Sequence, residues 1–399
     1  MSPDLADVVL KLRSPAWQAR AEAALQRLVE ISSHSADRQG CQAQATALLE
    51  LLALPGLTTQ RFPDPSGKHG DHVAFWTEAA AVDGARAAAP FTLLIGHLDT
   101  VFSAAAFSGY RVSESDGVRR AHGPGVYDMK GGLVAIAFAL QALAEVGALA
   151  RVPLRGVIVS DEEVGSPSSQ ALLRRLGQGA SCALGFESGR AGDAIITRRK
   201  GLGALQVRAQ GKAAHAGNLH HEGHNAIWAL ARFVDAAQSL TDYGRGITVN
   251  VGRIEGGQGR NVVPDLAEAQ VDFRFVALED AAQIEAALRQ AAVSAAAGVP
   301  GTKITVSGGV TRLPLCRSEA SAALRDRYGR CQRAAGLAFA EAPLLGGGSD
   351  ASTVAPLPAI DGLGPRGSGF HTLEEQVELH TLLQKAEALA RFLCEDERS

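Results

Sequence analysis

Acidic and imidazole side chains stand directly after short apolar runs in the first half of the chain, and this arrangement restricts the fold more than any other feature. The runs 91–96, 156–160 and 182–186 have the length and apolarity of buried strands. Between the first two, residues 133–146 are apolar nearly all round, as a helix covered on both sides should be. Strands that alternate with helices predict an α/β domain with a parallel or mixed sheet.

The polar residues at the ends of these runs are mostly carboxylates. Each of them, taken alone, has the simpler reading of an exposed loop acid or a helix cap. The set at the run ends comprises His97, Asp99, Glu162, Glu163 and Glu187, and Asp128 joins it from a glycine-rich turn before the apolar helix. Sites in α/β sheets gather at the carboxyl ends of strands, where these side chains would meet and repel one another unless a cation balanced them.

A metal centre resolves this repulsion. Imidazole and carboxylate ligands suit Zn²⁺, with Mn²⁺ or Co²⁺ as alternatives. One ion takes about four such groups, and the chain supplies more than that, so two ions bridged by one carboxylate are the natural count. We therefore predict two zinc ions per subunit.

The middle of the chain has a different pattern. Alternating strands are predicted over 204–210, 247–251 and 269–275 and a last strand over 303–307, with helices over 224–240 and 278–297. The order β-α-β-β-α-β is that of a ferredoxin-like unit. We assign residues 198–310 to an inserted domain and residues 1–197 and 311–399 to the domain that it interrupts.

Composition excludes several classes of protein. The net charge is −3, with 39 basic and 42 acidic residues well mixed, so no basic stripe suggests nucleic-acid binding. The five scattered cysteines form no C-x-x-C and are typical of core thiols in a reducing cytoplasm. The N-terminal segment predicts a capped helix rather than a signal peptide, and the longest apolar stretch contains Gln141 and Glu145, as a buried helix can. We expect a cytoplasmic protein that binds neither nucleic acid nor membrane.

Seven motifs together resemble the M20 metallopeptidase family. In chain order they are "GHLDTV", "GPGVYDMKGG", "DEEVGS", "FESG", "GKAAHAG", "GGGSDAS" and "GFHT", and they span nearly the whole chain. The resemblance implies an α/β di-zinc catalytic domain with a mixed sheet flanked by helices. It also implies that the inserted ferredoxin-like domain holds two subunits together as a homodimer.

The resemblance assigns the metal ligands residue by residue. His97 and Glu187 would bind one zinc, and Glu163 and His371, from "GFHT", would bind the other. Asp128 would bridge the two ions, and its peptide bond to Met129 would be cis. Glutamate at position 187 is similar to the family's carboxypeptidases and deacylases more than to its aminopeptidases.

Two carboxylates beside the ligands receive roles in catalysis. Asp99 would orient the imidazole of His97, two residues away. Glu162 would be the general base, and Glu163 would point to the opposite side, as adjacent residues of an extended chain do.

Three residues of the inserted domain are assigned to substrate binding. The resemblance implies that His215 reaches across the dimer to the partner's site, and that Asn261 assists. Arg274 lies on the polar face of its strand, with Gln270 and Asp272. That face is either solvated or offers a guanidinium to a substrate carboxylate.

The function that this set implies is amide hydrolysis. A hydroxide that bridges the metals would release a C-terminal amino acid, glutamate-like by the resemblance, from a small peptide or N-acyl amino acid. The alternative in the same family is an N-acyl-amino-acid deacylase acting on substrates such as acetylornithine or succinyl-diaminopimelate. A catalytically silent binding protein on the same fold would lack a ligand or the base, whereas here every position is filled.

Overall fold

The computed structural model describes residues 3–82 and 90–395. These residues form two compact units. The first unit comprises Met1–Thr197, Arg317–Leu344 and Ser349–Ser399, and the second comprises Arg198–Cys316 and Leu345–Gly348. The second unit thus extends past the expected boundary at residue 310 and takes in part of the glycine-rich segment. Residues 1–2, 83–89 and 396–399 of the predicted domains lie outside the described residues.

A mixed six-stranded sheet forms the centre of the first unit. Its strands pair antiparallel at one side and parallel at the other. In order across the sheet they are Leu57–Phe62, His72–Thr77, Leu154–Val159, Phe91–His97, Ala180–Gly185 and Ala359–Ile360. Every residue of Leu154–Val159 is buried, which explains its continuous apolar sequence without alternation. The α/β architecture with a mixed sheet is therefore confirmed.

Helices cover this sheet and build the core. The seven helices found in the described part of this unit are Pro3–Leu12, Pro15–Glu30, Arg38–Leu51, Gly131–Glu145, Gln170–Gly177, Glu319–Ala334 and Leu379–Cys394. The helix Gly131–Glu145 is buried from its first residue to Leu143, as its apolar sequence predicts. With the turn before it, it is long and apolar enough to cross a membrane, but 89% of its most apolar window is buried inside the protein.

The first unit contains a second, small sheet that the sequence analysis did not predict. Its strands, in order, are Gly367–Ser368, Gln376–Glu378, Val118–His122 and Arg111–Ser115. All pairs in it are antiparallel. The strand Arg111–Ser115 is exposed along most of its length, so it shows no apolar face that a pattern could detect. A parallel pair, Ala194–Ile195 with Ala340–Glu341, completes the unit.

The second unit has the predicted order β-α-β-β-α-β. Its four long strands are all paired antiparallel and lie in the order Thr248–Gly256, Leu266–Phe275, Gly201–Gln210, Lys303–Arg312. The helices Ala226–Gln238 and Leu278–Ala297 pack on the buried face, with Leu205, Val207 and Ala209 of the central strand in the same core. A short hairpin pairs Ala214–His215 with Val262–Val263. The ferredoxin-like prediction is confirmed.

Candidate metal centre

Three adjacent strands deliver polar side chains to one edge of the main sheet. His97 is the last residue of its strand and pairs in register with Val159, directly before the "SDEEVG" segment. On the other side Ile95 pairs with Gly185, two residues before Glu187. Because all three strands run parallel, their carboxyl ends coincide, and side chains far apart in sequence meet.

The turn that carries Asp128 reaches the same edge through close packing of the buried helix. A Cβ at Gly132 would lie 2.2 Å from the carbonyl oxygen of Phe186, so only glycine allows the helix to begin so close to the strand end. The turn itself starts at Gly125, whose φ is +71°. The Asp128–Met129 peptide is cis, as the resemblance implies.

Asp128 lies between two imidazoles. Its Oδ1 is 3.3 Å from Nε2 of His97, and its Oδ2 is 3.5 Å from Nε2 of His371. Each oxygen of one carboxylate thus faces a different ring. A carboxylate that faces two imidazoles in this way is compatible with a bridge between two ions.

Two glutamates complete the cluster. Glu163 Oε2 lies 3.1 Å from Nε2 of His371, and Glu187 Oε2 lies 3.8 Å from Nε2 of His97. Single ligand atoms of His97, Asp128 and Glu163 all fall within 4.8 Å of one another. The structure therefore brings together all five residues that the family resemblance assigns as metal ligands.

The carboxylates of the cluster give it an excess of negative charge that favours a cation at its centre. Burial would lower the pKa of His97, but the carboxylates of Glu187, Asp128 and Asp99 raise it well above its usual value. Hydrogen bonds to Asp128 and Glu163 raise the pKa of His371 to about 10. Burial raises the pKa of Glu163 and of Glu187 to about 7, because the carboxylates are crowded in a dry site.

The donor set fits divalent cations. Imidazole nitrogens and carboxylate oxygens are ligands of zinc and its neighbours in the first transition row. The Oε1 atom of Glu163 is buried without a hydrogen-bond partner among the described residues, and the side chain is only 6% exposed. Buried polar atoms are rarely left without a partner, so this oxygen is suited to bind a metal ion.

The segment that carries Glu162 and Glu163 is a tight turn. Glu162–Val164 form one turn of 3-10 helix, so the argument from extended backbone is wrong. Because a 3-10 helix has three residues per turn, the side chains of Glu162 and Glu163 still point about 120° apart. The preceding Asp161 is committed to the loop itself, because its carboxylate accepts hydrogen bonds from Ser168 and Ser169.

Asp99 holds this turn rather than the ring of His97 alone. Its buried carboxylate accepts hydrogen bonds from the backbone amides of Glu162 and Glu163, both at 3.1 Å, and from Ser35 Oγ at 2.6 Å. The closest acceptor for Nδ1 of His97 is the backbone carbonyl of Asp99, at 2.9 Å, whereas Oδ1 is 3.5 Å away. The carboxylate, which was expected to orient the imidazole, thus also holds the turn through shorter hydrogen bonds.

Glu375 is a buried acid that sequence analysis did not single out. Its carboxylate accepts hydrogen bonds from the backbone amides of Gly125, Tyr127 and Asp128. Its position four residues after His371 was the available signal, since residues near a ligand commonly support it.

The residues assigned to substrate binding lie in the second unit. His215 and Asn261 are exposed and lie near each other, because His215 pairs with Val262 and the amide of Ala216 donates to the carbonyl of Asn261. Arg274 is partly buried and pairs with Asp272, with Nε to Oδ1 at 3.0 Å. Its Nη1 donates to the carbonyl of Gly346 at 2.9 Å.

Comparison with known proteins agrees with this geometry. Residues 197–299 match the family described as peptidase dimerisation domain. The chain is 28% identical over 377 residues to carboxypeptidase G2 of Pseudomonas sp. (strain RS-16), covering 93% of this chain and 88% of the relative.

Solved structures share the whole fold. An M20 family metallo-carboxypeptidase from Sulfolobus solfataricus superposes with a TM-score of 0.72 at 18% identity, over 94% of this chain and 98% of the other. A dinuclear metal-binding M20 peptidase from Bacillus subtilis superposes with a TM-score of 0.65 at 15% identity, over 95% and 97%. Over most of its length the chain thus resembles the M20 metallopeptidases, and among them carboxypeptidase G2.

Proposed function

We propose that this M20 enzyme is a dinuclear zinc carboxypeptidase that releases a C-terminal, glutamate-like amino acid from N-acyl or peptidyl substrates. The observation that carries the proposal is Asp128, whose two oxygens face His97 and His371. The similarity to carboxypeptidase G2 over most of both chains supports the type of reaction. The dinuclear site named for the Bacillus subtilis peptidase supports the number of ions.

The first unit supplies all the proposed ligands. His97 and Glu187 would hold one ion, Glu163 and His371 the other, and Asp128 both. When bound, the ions would lower the pKa of a water molecule and polarise the amide carbonyl.

Glu162 is the proposed general base. The backbone amide of Glu162 donates a hydrogen bond to Asp99. Burial and the charge of Asp128 are the larger causes of the raised pKa of Glu163, and the charge of Glu162 adds to them. Glu162 therefore lies at the cluster without being one of the ligands assigned to it. We propose that its carboxylate accepts a proton from the attacking water and then donates it to the leaving nitrogen.

Arg274 is proposed to bind the free α-carboxylate of the substrate. Its guanidinium already holds one carboxylate, that of Asp272, so the substrate would replace or share an existing partner. The gain from such an exchange is smaller than from pairing an isolated cation. We therefore expect Arg274→Ala to cost about 2 kcal/mol, near the lower end for a charged pair, or roughly thirty-fold in kcat/KM.

A matched pair of variants tests this assignment. The wild type should hydrolyse a free-acid substrate faster than its C-terminal amide, and Arg274→Ala should lose that preference. Asp272→Asn removes the competing carboxylate and should keep it. A preference that survives in Arg274→Ala would show that another group reads the carboxylate.

The second unit is proposed to form a homodimer. Its exposed apolar side chains include Ile227 and Trp228, on the helix, and Ile254, on the outermost strand of the sheet. A Cβ at Gly257 would lie 3.1 Å from Ile227, so this helix and the end of this strand adjoin. An apolar edge of this kind suits association with a second copy. The proposed roles of His215, across such a dimer, and of Asn261 rest on the family resemblance.

The proposed function is tested by measuring how hydrolytic activity depends on the metal ion and on the amino acid that is released. Protein stripped with a chelator should be inactive on N-benzoyl-glutamate and should recover on addition of Zn²⁺, with Co²⁺ and Mn²⁺ compared. The metal-loaded enzyme should prefer N-acyl-glutamate over N-acetylornithine and N-succinyl-diaminopimelate. Preference for either of the last two would replace the carboxypeptidase proposal with the deacylase alternative.

A further inference from the structure

One buried side chain connects two of the segments that carry the proposed ligands. Glu375 is fully buried, and it stands at the end of the loop that follows His371. Its Oε1 accepts the amide hydrogens of Tyr127 and Asp128, both at 2.9 Å, and its Oε2 accepts that of Gly125 at 3.0 Å. All three donors belong to the turn that presents Asp128.

The pairing of the small sheet explains why this acid reaches that turn. Gln376 pairs with His122 in antiparallel register, so the residue before Gln376 adjoins the residue after His122. Glu375 therefore lies beside Gly123, two residues before the turn that starts at Gly125. The same hairpin, closed by Gly367–Ser368 on Gln376–Val377, carries His371 at its tip.

The chemistry of the contact requires a carboxylate. A carboxylate accepts hydrogen bonds at both oxygens, and bonds between a charged acceptor and backbone amides are roughly twice as strong as neutral ones. Glutamine has the same shape but only one acceptor oxygen. Its amino group would have to face either the amide of Gly125 or those of Tyr127 and Asp128, which are all donors.

We propose that Glu375 is a positioning residue that fixes the Asp128 carboxylate between the two metal positions and ties it to the loop of His371. The inference rests on the proposed function, because it concerns ligands of the proposed dinuclear site. Of the five proposed ligands, Asp128 and His371 are the two that come from outside the main sheet. The strand ends fix His97 and Glu187, whereas the turn of Asp128 depends on the bonds that hold its backbone.

Metal affinity tests the inference with the neighbouring glutamate as control. Zn²⁺ affinity of metal-free protein is measured by competition with a chromophoric chelator in wild type, Glu375→Gln and Glu374→Gln. Glu374 is exposed, so its substitution makes the same chemical change one residue away. Glu375→Gln should bind Zn²⁺ about 10- to 100-fold more weakly, the usual loss when support of a ligand is removed. Glu374→Gln should bind as the wild type does.

A spectroscopic readout separates positioning from general stability. Two Mn²⁺ ions that share a carboxylate are magnetically coupled, and the coupling depends on the geometry of the bridge. Mn²⁺-loaded Glu375→Gln should show an altered electron paramagnetic resonance spectrum at full occupancy, while Glu374→Gln should match the wild type. A residue that only stabilises the fold would leave this spectrum unchanged.

The outcomes are distinct. A wild type that binds no dication would overturn the proposed function and the inference with it. A wild type that binds, with equal affinity and spectrum in Glu375→Gln, would overturn the inference alone. If Glu375→Gln does not fold, Glu375→Asp, which keeps the charge but withdraws it by one methylene, is measured in the same way, and unchanged binding there would also overturn it.

Discussion

Asp99→Asn provides a sharp test of how the candidate site is held together. The carboxylate accepts the amide of Glu162 at Oδ1, and it accepts the amide of Glu163 and Ser35 Oγ at Oδ2. Asparagine can place its one oxygen at the Oδ2 position and keep two of these bonds. Its amino group then faces the amide of Glu162, so one bond to a charged acceptor is lost and a buried donor is left unpaired.

The expected loss of activity follows from the one hydrogen bond that Asp99→Asn removes. A hydrogen bond to a charged group contributes about 1.5–3 kcal/mol. If the loss falls on the transition state, because the proposed base is displaced, kcat/KM should fall about 10- to 150-fold. The backbone carbonyl that accepts Nδ1 of His97 is unchanged in the variant, so the ring should keep its tautomer and its place. Zinc content should therefore remain near that of the wild type.

The assay compares kcat, KM and zinc content in wild type and variant, with Asp37→Ala as control. Asp37 caps the helix Arg38–Leu51 by accepting the amide of Gly40, and its loss should cost about 0.5–2 kcal/mol of stability without affecting turnover. A variant Asp99→Asn that loses zinc but keeps wild-type kcat when fully loaded would refute this reasoning. It would show that the carboxylate serves His97 and not the turn of Glu162.

Three further outcomes are expected. Glu163→Ala should lower zinc occupancy, whereas Glu162→Ala should abolish turnover with both ions retained; equal zinc loss in the two variants, measured by mass spectrometry, would show that the pair is misassigned. Asp193→Ala should lower the free energy of unfolding by about 3–5 kcal/mol, because it leaves the ammonium of the fully buried Lys385 without its carboxylate 3.3 Å away; an unchanged thermal transition would contradict this. Trp228→Glu, which places a charge on the exposed apolar edge, should yield monomers in light scattering with zinc binding intact, and a stable dimer would place the interface elsewhere.

Sequence patterns predict the parts of this protein in which the apolar or polar character of a segment matches its burial in the fold. The continuous apolar runs 91–96 and 156–160 are buried strands, and the helix predicted at 278–297 has the same bounds in the structure. The five metal ligands that the family resemblance assigns also meet, with His97, Glu163 and Glu187 following strand ends and Asp128 and His371 arriving from outside the main sheet.

The remaining features depend on contacts that no local pattern encodes. Glu375 bonds to amides about 250 positions earlier in the chain, and backbone donors leave no trace in a sequence. The turn at Glu162 replaces an extended segment because the buried carboxylate of Asp99 offers acceptors to two successive amides. The sequence placed Arg274 and Asp272 on one face of the strand, but it did not show that the two side chains pair with each other.

The bridge at Arg199 bears on how such a two-part protein can be assembled and modified. Arg199 and Leu315 exchange backbone hydrogen bonds of 3.0 and 3.1 Å, so the two ends of the long segment Arg198–Cys316 of the second unit adjoin. A segment with adjoining ends is inserted into a host at little cost in chain entropy, whatever its length, since the gap that the host must close stays short. The interrupted unit can therefore accept a shorter connection or a foreign domain between Thr197 and Arg317, and protein engineers could exchange the insertion as a cassette.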